Sequence, residues 1–168
     1  MTEIQKRFFL RLNSLNPGER AALRRETGTM LRQADGTATT VFYRCLPVSV
    51  ETWQEDRWFA VACQRCLWDA GEEAGRPFEQ IIADLIRSGE LSDSTKHRIE
   101  LLLDTRWDTD GYMLTKLARL LVLVRQKSNR VQIDFAALLD DLLSWNSDKQ
   151  FVQRKWAKTI FSTDNPNE

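Results

Sequence analysis

The sequence has few of the residues that build turns, with seven glycines and four prolines among 168 residues. That scarcity argues against a β protein, because short strands are joined by turns rich in these two residues. Alternation of apolar and polar residues, the pattern of a strand, is short throughout, and residues 131–133 are its best candidate. These absences predict an all-α fold.

Long apolar segments are missing as well. Strictly apolar runs such as residues 58–63 and 120–124 hold only six and five residues, far short of the ~20 residues that span a bilayer. Lys6 and Arg7 interrupt the N-terminal region before the apolar core of a secretory signal could form. We therefore expect a cytoplasmic protein with no membrane partner, in which the three cysteines are reduced thiols.

Groups that could catalyse a reaction are scarce. The one histidine, His97, is flanked by Lys96 and Arg98 and has no serine or cysteine pattern that would suggest a triad. No glycine is followed by the Lys and Ser/Thr that a phosphate-binding loop needs. We therefore predict that the chain is not an enzyme and takes no cofactor and no small-molecule substrate.

Cys63 and Cys66 form a CxxC motif that could bind a metal or do redox chemistry. The βαβ context of a redox CxxC is absent, and a structural zinc would need Cys45 and His97 as its remaining ligands. A Cys₃His site is conceivable, but free cysteine is among the most buried residue types. We therefore favour two small buried side chains and predict no metal site.

Helical periodicity dominates the chain and predicts a bundle of about eight to nine helices, formed by one domain over residues 1–168 or by two closely packed subdomains with a weak boundary near 88–94. The predicted caps are Asn16, Ser92 or Ser94, Asp108 and Asp134. The predicted helices cover a segment before Asn16 and then roughly residues 17–28, 41–46, 51–70, 77–88, 94–103, 108–126, 134–145 and 147–161. The acidic segment 69–76 is predicted to be a mobile insertion.

The aromatic residues are expected to serve mainly as core. Trp53 lies on the apolar face of the predicted 51–70 helix, and Trp107, next to Arg106, is an open candidate for stacking against a base. Four further tryptophans lie on apolar faces and are predicted to be buried: Trp58, Trp68, Trp145 and Trp156.

The chain has no net charge, with 24 basic and 24 acidic residues, so bulk charge points to no partner. Its distribution is uneven. Residues 112–130 hold five basic residues and no acid, residues 149–160 hold four and no acid, and residues 45–111 hold fourteen acids against seven bases. Such segregation can give basic faces to a neutral protein.

Three helices carry their basic residues on one face. At 100° per residue, Lys116, Arg119 and Lys127 lie within about 80° of one another, with Tyr112 in the same sector. Arg154, Lys155 and Lys158 repeat the pattern within about 100° on the last helix, and Arg20, Arg24 and Arg25 lie close together on an early one. The sequence leaves three alternatives open for these basic residues. They are solvated, they pair with the acidic middle of the chain, or they bind nucleic-acid phosphates.

Five segments, in this order and spacing, resemble one known family: ALRR at 22–25 followed by Gly28, FYRCLP at 42–47, LARLL at 117–121, VQIDF at 131–135 with Trp145 beyond it, and VQRKWAK at 152–158. They resemble the CasB family, the small subunit of the type I-E CRISPR interference complex Cascade. The resemblance covers nearly the whole chain, from about residue 20 to 161.

The resemblance implies an all-helical, non-catalytic subunit present in two copies. It implies contact with the large subunit, with the repeated backbone subunit, with a second copy of itself, and with DNA opened into an R-loop, both the crRNA-paired target strand and the displaced strand. In such complexes base pairing reads the sequence, while the protein supplies backbone contacts. The alternative is a helical protein–protein adaptor that never touches nucleic acid.

The predicted nucleic-acid contacts come from two sources. The resemblance assigns those in matching segments, Arg24, Arg25, Arg44, Arg119, Arg154 and Lys158, and also Arg98, where the family tends to be basic. The helical faces add Lys116, Lys127 and Lys155. The family often has two adjacent basic residues where this chain has Ala118 and Arg119, which puts one phosphate contact in doubt.

Overall fold

The computed structural model describes residues 1–68, 75–128 and 131–162, and the regular structure in these ranges is helical. It comprises α1 Glu3–Asn13, α2 Pro17–Arg25, a 3₁₀ turn at Leu31–Gln33, α3 Gly36–Cys45, a 3₁₀ turn at Thr52–Gln54, α4 Glu55–Trp68, α5 Phe78–Arg87, α6 Asp93–Leu103, α7 Tyr112–Lys127, α8 Phe135–Leu143 and α9 Phe151–Phe161. The predicted all-α class is confirmed.

Side-chain caps set most of the helix starts. Asn16 Oδ1 accepts the Glu19 N–H at 2.9 Å, and the Glu19 carboxylate accepts the Asn16 N–H at 3.2 Å, which completes a capping box. Ser92 and Asp134 cap α6 and α8 by accepting the N–H of the third residue of each helix. The predicted caps Asn16 and Asp134 are confirmed, and Ser92 is used in preference to Ser94.

Helix α7 begins later than predicted, and Asp108 is not its N-cap. Gly111 adopts a φ of 79°, in the left-handed region where a right-handed helix cannot continue, so α7 starts at Tyr112. Asp108 Oδ1 still accepts the Tyr112 N–H at 3.1 Å. A Cβ at Gly111 would lie 2.9 Å from Met30 Cγ, so both the backbone and the available space require glycine here.

The other differences at helix ends also have local causes. Helix α3 begins at Gly36, and not near residue 41, because the Asp35 side chain caps it. Gln150 adopts a φ of 49°, so the last helix starts at Phe151 and not near residue 147. The first turn of the predicted 51–70 helix is the 3₁₀ turn Thr52–Gln54. The end of that helix and most of the predicted mobile insertion lie outside the described residues.

Two groups of aromatic side chains belong to one continuous apolar core. The rings of Phe8 and Trp58 meet edge to face at 4.9 Å between centroids. Where α5 and α9 pack together, Trp156 meets Trp145 at 5.3 Å and Phe78 at 5.9 Å, again edge to face. Each such pair adds about 0.5–1.5 kcal/mol beyond its buried area. The predicted burial of four tryptophans is confirmed: Trp58, Trp68, Trp145 and Trp156.

Trp53 does not belong to this core, contrary to the prediction. It is 56% exposed, because the 3₁₀ turn before α4 directs it outward, and its ring centroid lies 5.6 Å from the Arg57 guanidinium carbon. That buried guanidinium lies 5.1 Å from the Trp107 ring centroid and donates to the Leu142 carbonyl at 3.0 Å. Trp107, the open candidate for base stacking, is only 8% exposed and therefore serves the fold.

Residues 131–133, the best strand candidate, form an isolated parallel bridge with Arg76. The Arg76 N–H donates to the Gln132 carbonyl at 2.8 Å, and the Asp134 N–H donates to the Arg76 carbonyl at 2.9 Å. The bridge ties the segment before α5 to the start of α8.

Helices α6 and α7 pack against each other, and α7 also packs against α4. One face of α7 is therefore held against the core, whereas Tyr112, Arg119 and Lys127 on its other side are exposed. Among the helices in the described part of the chain, none is both long and apolar enough to cross a membrane.

Candidate nucleic-acid interface

Helices α6 and α7 enclose a pocket of about 250 Å³, which we call the α6–α7 pocket. Leu117 and Leu121 of α7 are fully buried in the core. Because they anchor one side of the helix, the side that carries Lys116 and Arg119 is turned away from the core. Helix α6 adds residues three positions apart, which share one of its faces. The pocket is lined by Thr95, Arg98, Lys116, Arg119, Leu120 and Leu123.

The α6–α7 pocket is strongly cationic. Three of its six lining side chains are basic and none is acidic. Within residues 1–68, 75–128 and 131–162, no carboxylate oxygen lies within 4 Å of the side-chain nitrogens of Arg98, Lys116 or Arg119. Like charges gathered without a counter-charge repel one another, and an anion bound among them would relieve that repulsion. The geometry therefore suits a phosphate or another oxyanion.

Lys116 and Lys127 extend this surface along α7. Lys116 Nζ lies 4.6 Å from the ring centroid of Tyr112, one turn closer to the helix start. Lys127 is exposed in the last turn, and no carboxylate in the described ranges pairs with it. The two lysines are separated by about 16 Å of helix axis, which is long enough to follow several phosphates of a strand.

The basic residues of α9 differ in their contacts, because one of them is paired with carboxylates and two are not. Lys155 Nζ lies 2.6 Å from Asp141 Oδ1 and 3.7 Å from Glu79 Oε1, so it is paired within its own chain. Asp141 also accepts the Trp156 indole N–H at 2.7 Å. Arg154 and Lys158 are exposed, and no described carboxylate pairs with them. The pairing of Lys155 weakens the case for this residue as a phosphate contact.

The N-terminal basic residues also include both paired and unpaired side chains. Arg44 forms an ion pair with Glu19, and this contact lowers the pKa of Glu19 and raises that of Arg44. Arg24 and Arg25 are exposed in the last turn of α2 and face no carboxylate among the residues that the structure describes. Arg20 instead donates to the backbone carbonyls of α1 and of the loop after it. Arg44 is therefore a weaker candidate than Arg24 and Arg25.

The thiols and the histidine do not form a site. Cys45, Cys63 and Cys66 are buried and reduced, and burial raises the pKa of Cys63 well above its ordinary value. His97 is exposed and contacts Glu100 at 3.4 Å. Across the described ranges, no group of three or more His, Cys, Asp or Glu side chains is placed to hold a metal ion.

One contributor to this surface cannot be recognised from the sequence. Thr95 is the N3 residue of α6 and looks like part of an ordinary helix start, yet it lines the α6–α7 pocket beside Arg98. Tyr112 lies on the same helix face as Lys116, as the spacing predicts, and Lys116 Nζ lies over its ring.

The buried carboxylate Glu79 gives a pH-dependent prediction. Burial, with a smaller contribution from Asp141, raises the pKa of Glu79 above its ordinary 4.5, against the opposing effect of Lys155. A carboxyl that binds its proton more tightly in the folded state stabilises the fold below pH 4.5, and this stability is lost as the pH rises through the folded pKa. In urea titrations from pH 4.5 upward, Glu79→Gln should therefore lose less stability than the wild type. If the unfolding free energies of the two proteins change with pH in the same way, the pKa of Glu79 is not raised in the folded state.

The helical fold and the α6–α7 pocket define a small helical protein with an exposed cationic surface. The sequence profile of the family described as CRISPR-associated protein Cse2 matches residues 19–161, which is most of the chain. The protein belongs to this family of CRISPR-associated proteins. The predicted membership of the CasB small-subunit family is thereby confirmed.

Solved structures of the same fold support this placement. A Cse2-family protein from Thermus thermophilus is 26% identical, with a TM-score of 0.76 over 96% of this chain and 99% of that one. CasB from M. ruber shares the fold at 21% identity, with a TM-score of 0.75 over 96% and 94% of the two chains. A chain of a CRISPR RNA-guided surveillance complex is 25% identical, with a TM-score of 0.68 over 94% and 88%. No curated protein sequence matches this chain significantly.

Proposed function

We propose that this protein is the non-catalytic small subunit of a crRNA-guided Cascade surveillance complex, and that it holds opened DNA by its sugar-phosphate backbone. Its family and its similarity to a chain of a CRISPR RNA-guided surveillance complex support the first part. The partners would be the large subunit, the repeated backbone subunit, a second copy of this chain, and the target and displaced DNA strands. The assembly would work in the cytoplasm.

The observation that carries the DNA contact is the α6–α7 pocket. Arg98, Lys116 and Arg119 converge there from two helices, and no carboxylate lines the pocket. Each phosphate that such cations neutralise releases condensed counterions, which favours binding and makes it salt-dependent. These contacts read no bases, so they suit a complex in which guide RNA pairing supplies the specificity.

The other basic residues fall into two groups under this proposal. Lys127 continues the surface along α7, and Arg24, Arg25, Arg154 and Lys158 offer further exposed cations on α2 and α9. Arg44 and Lys155 act mainly within the chain, because each is held by a carboxylate. We therefore expect the α6–α7 surface to contribute most to DNA binding, and Arg44 and Lys155 to contribute least.

Neutralising two cations of α7 should weaken DNA binding in a salt-dependent way. We expect complexes assembled with Arg119→Gln/Lys127→Gln to show a slope of log K against log salt that is shallower by about 1.4–1.8, because each lost phosphate contact removes about 0.7–0.9. Affinity at physiological salt should fall about tenfold. The measurement is target-DNA binding by the assembled complex over a salt series.

The matched control is Arg7→Gln/Arg125→Gln, which removes the same charge at two exposed positions outside the pocket. It should leave the slope unchanged. If the α7 variant also leaves both slope and affinity unchanged while the complex assembles normally, the surface does not bind DNA. That result would favour the adaptor alternative, in which the subunit makes protein contacts only.

A further inference from the structure

Tyr112 is an exposed aromatic side chain at the edge of the cationic surface. It is 59% exposed, although an aromatic ring of this size gains free energy from burial. It is the first residue of α7, and Lys116 Nζ lies 4.6 Å from its ring centroid. The ring therefore lies within reach of any strand that occupies the α6–α7 pocket.

Tyr112, Lys116 and Arg119 follow the spacing i, i+4, i+7, which places them within about 60° of one another around α7. Tyr112 and Arg119 are separated by about 10.5 Å of helix axis. Lys116 lies between them and lines the pocket. An aromatic ring and a row of cations thus share one helix face, in the order ring, lysine, arginine.

This arrangement discriminates between forms of DNA. The π-face of a base in a duplex is covered by its neighbours, so a duplex can offer the cations its phosphates but has no base for Tyr112. A single strand can offer both, since cationic grooves that follow the backbone and aromatic rings that stack on bases are the two elements of single-strand recognition.

We propose that Tyr112 stacks on an unpaired base of single-stranded DNA whose phosphate is bound in the α6–α7 pocket, and that this stacking makes the surface prefer single strands to duplex. The inference rests on the proposed function, because the phosphate must bind there before the base can reach the ring. Lys116, now over the ring, is free to turn toward the phosphate when the base stacks. Tyr112 is the specificity-determining residue of the surface.

The test uses the full chain and two probes, a dT oligonucleotide and a blunt-ended, loop-free duplex with the same total number of phosphates, at about 50 mM salt, where backbone contacts are strong. The wild type should prefer the dT probe. Tyr112→Ala should lose about tenfold in affinity for dT and little for the duplex, since stacking contributes about 1–3 kcal/mol per base and 1.4 kcal/mol is tenfold. Tyr112→Phe should retain the preference, because phenylalanine keeps the ring.

Tyr112→Leu separates stacking from simple packing, because leucine keeps apolar bulk without a π-face. It should behave as Tyr112→Ala does. A Tyr112→Leu protein that still prefers dT, a wild type that binds both probes equally, or a wild type that does not bind dT overturns the stacking role. The proposed function fails separately, when loss of Arg119 and Lys127 leaves DNA binding by the assembled complex unchanged.

Discussion

Arg98→Glu/Arg119→Glu should lower the affinity of the assembled complex for target DNA by about 1,000-fold. The double reversal removes two attractions to phosphates and adds two repulsions, and at contact distance in water each unit pair amounts to about 1 kcal/mol. Because the two arginines lie on different helices and line one pocket, both changes should act on the same phosphates if the proposed contact forms. DNA-binding titrations with the reconstituted complex measure the effect.

The same variant should keep its fold, which separates loss of contact from misfolding. The two introduced carboxylates surround Lys116 and replace like-charge repulsion with attraction, so the free energy of unfolding should rise by up to about 1 kcal/mol. The matched control, Arg7→Glu/Arg125→Glu, should bind DNA nearly as well as the wild type, since neither residue lines the pocket. A loss of affinity shared equally by the control would attribute the effect to net charge and not to this surface.

Asp141→Ala should lower the free energy of unfolding by about 3 kcal/mol. Asp141 is buried, and its two oxygens accept Lys155 Nζ at 2.6 Å and the Trp156 indole N–H at 2.7 Å. Its removal leaves the buried indole N–H without an acceptor and Lys155 with only Glu79 at 3.7 Å. For a chain of this length the melting temperature should fall by about 6–12 °C in thermal unfolding.

The neighbouring residue provides the control. Asp140 is exposed and accepts the Gln5 side-chain amide at 2.6 Å, so Asp140→Ala should lower the unfolding free energy by about 1 kcal/mol or less. Lys155→Met should destabilise the fold yet leave the salt slope of DNA binding unchanged, since the lysine is held within its own chain. Equal losses of unfolding free energy for Asp140→Ala and Asp141→Ala would contradict the prediction that Asp141 stabilises the fold more than Asp140 does.

Local patterns were enough to predict most of the helices. Asn16 and Asp134 cap by bonds that span three residues, and a helix start of this kind can be read from the sequence. Gly111 shows the limit, because the side chain that a Cβ at this position would meet belongs to Met30, which lies far away in sequence. The predicted position of Trp53 on an apolar helix face is wrong because a 3₁₀ turn rotates it away from the face that a regular helix would give it.

The candidate site was less predictable, because pairing between distant residues does not show in a helical wheel. Lys155 appears on the same open face as Arg154, and only the packing of α9 brings it to Asp141. In the opposite direction, Arg98 and Arg119 are 21 positions apart, and only the packing of α6 on α7 makes them line one pocket. The sequence identifies candidate cations, whereas the tertiary structure shows which of them are not paired with a carboxylate of the same chain.

The buried thiols make this chain convenient for site-directed labelling. Cys45, Cys63 and Cys66 lie inside the core, and burial raises the pKa of Cys45 and Cys63, so little reactive thiolate is present at neutral pH. A maleimide dye should therefore attach to one engineered surface cysteine, at Ser128 for example, without removal of the native ones. A single fluorophore placed there at the end of α7 would report in real time whether DNA binds near this helix.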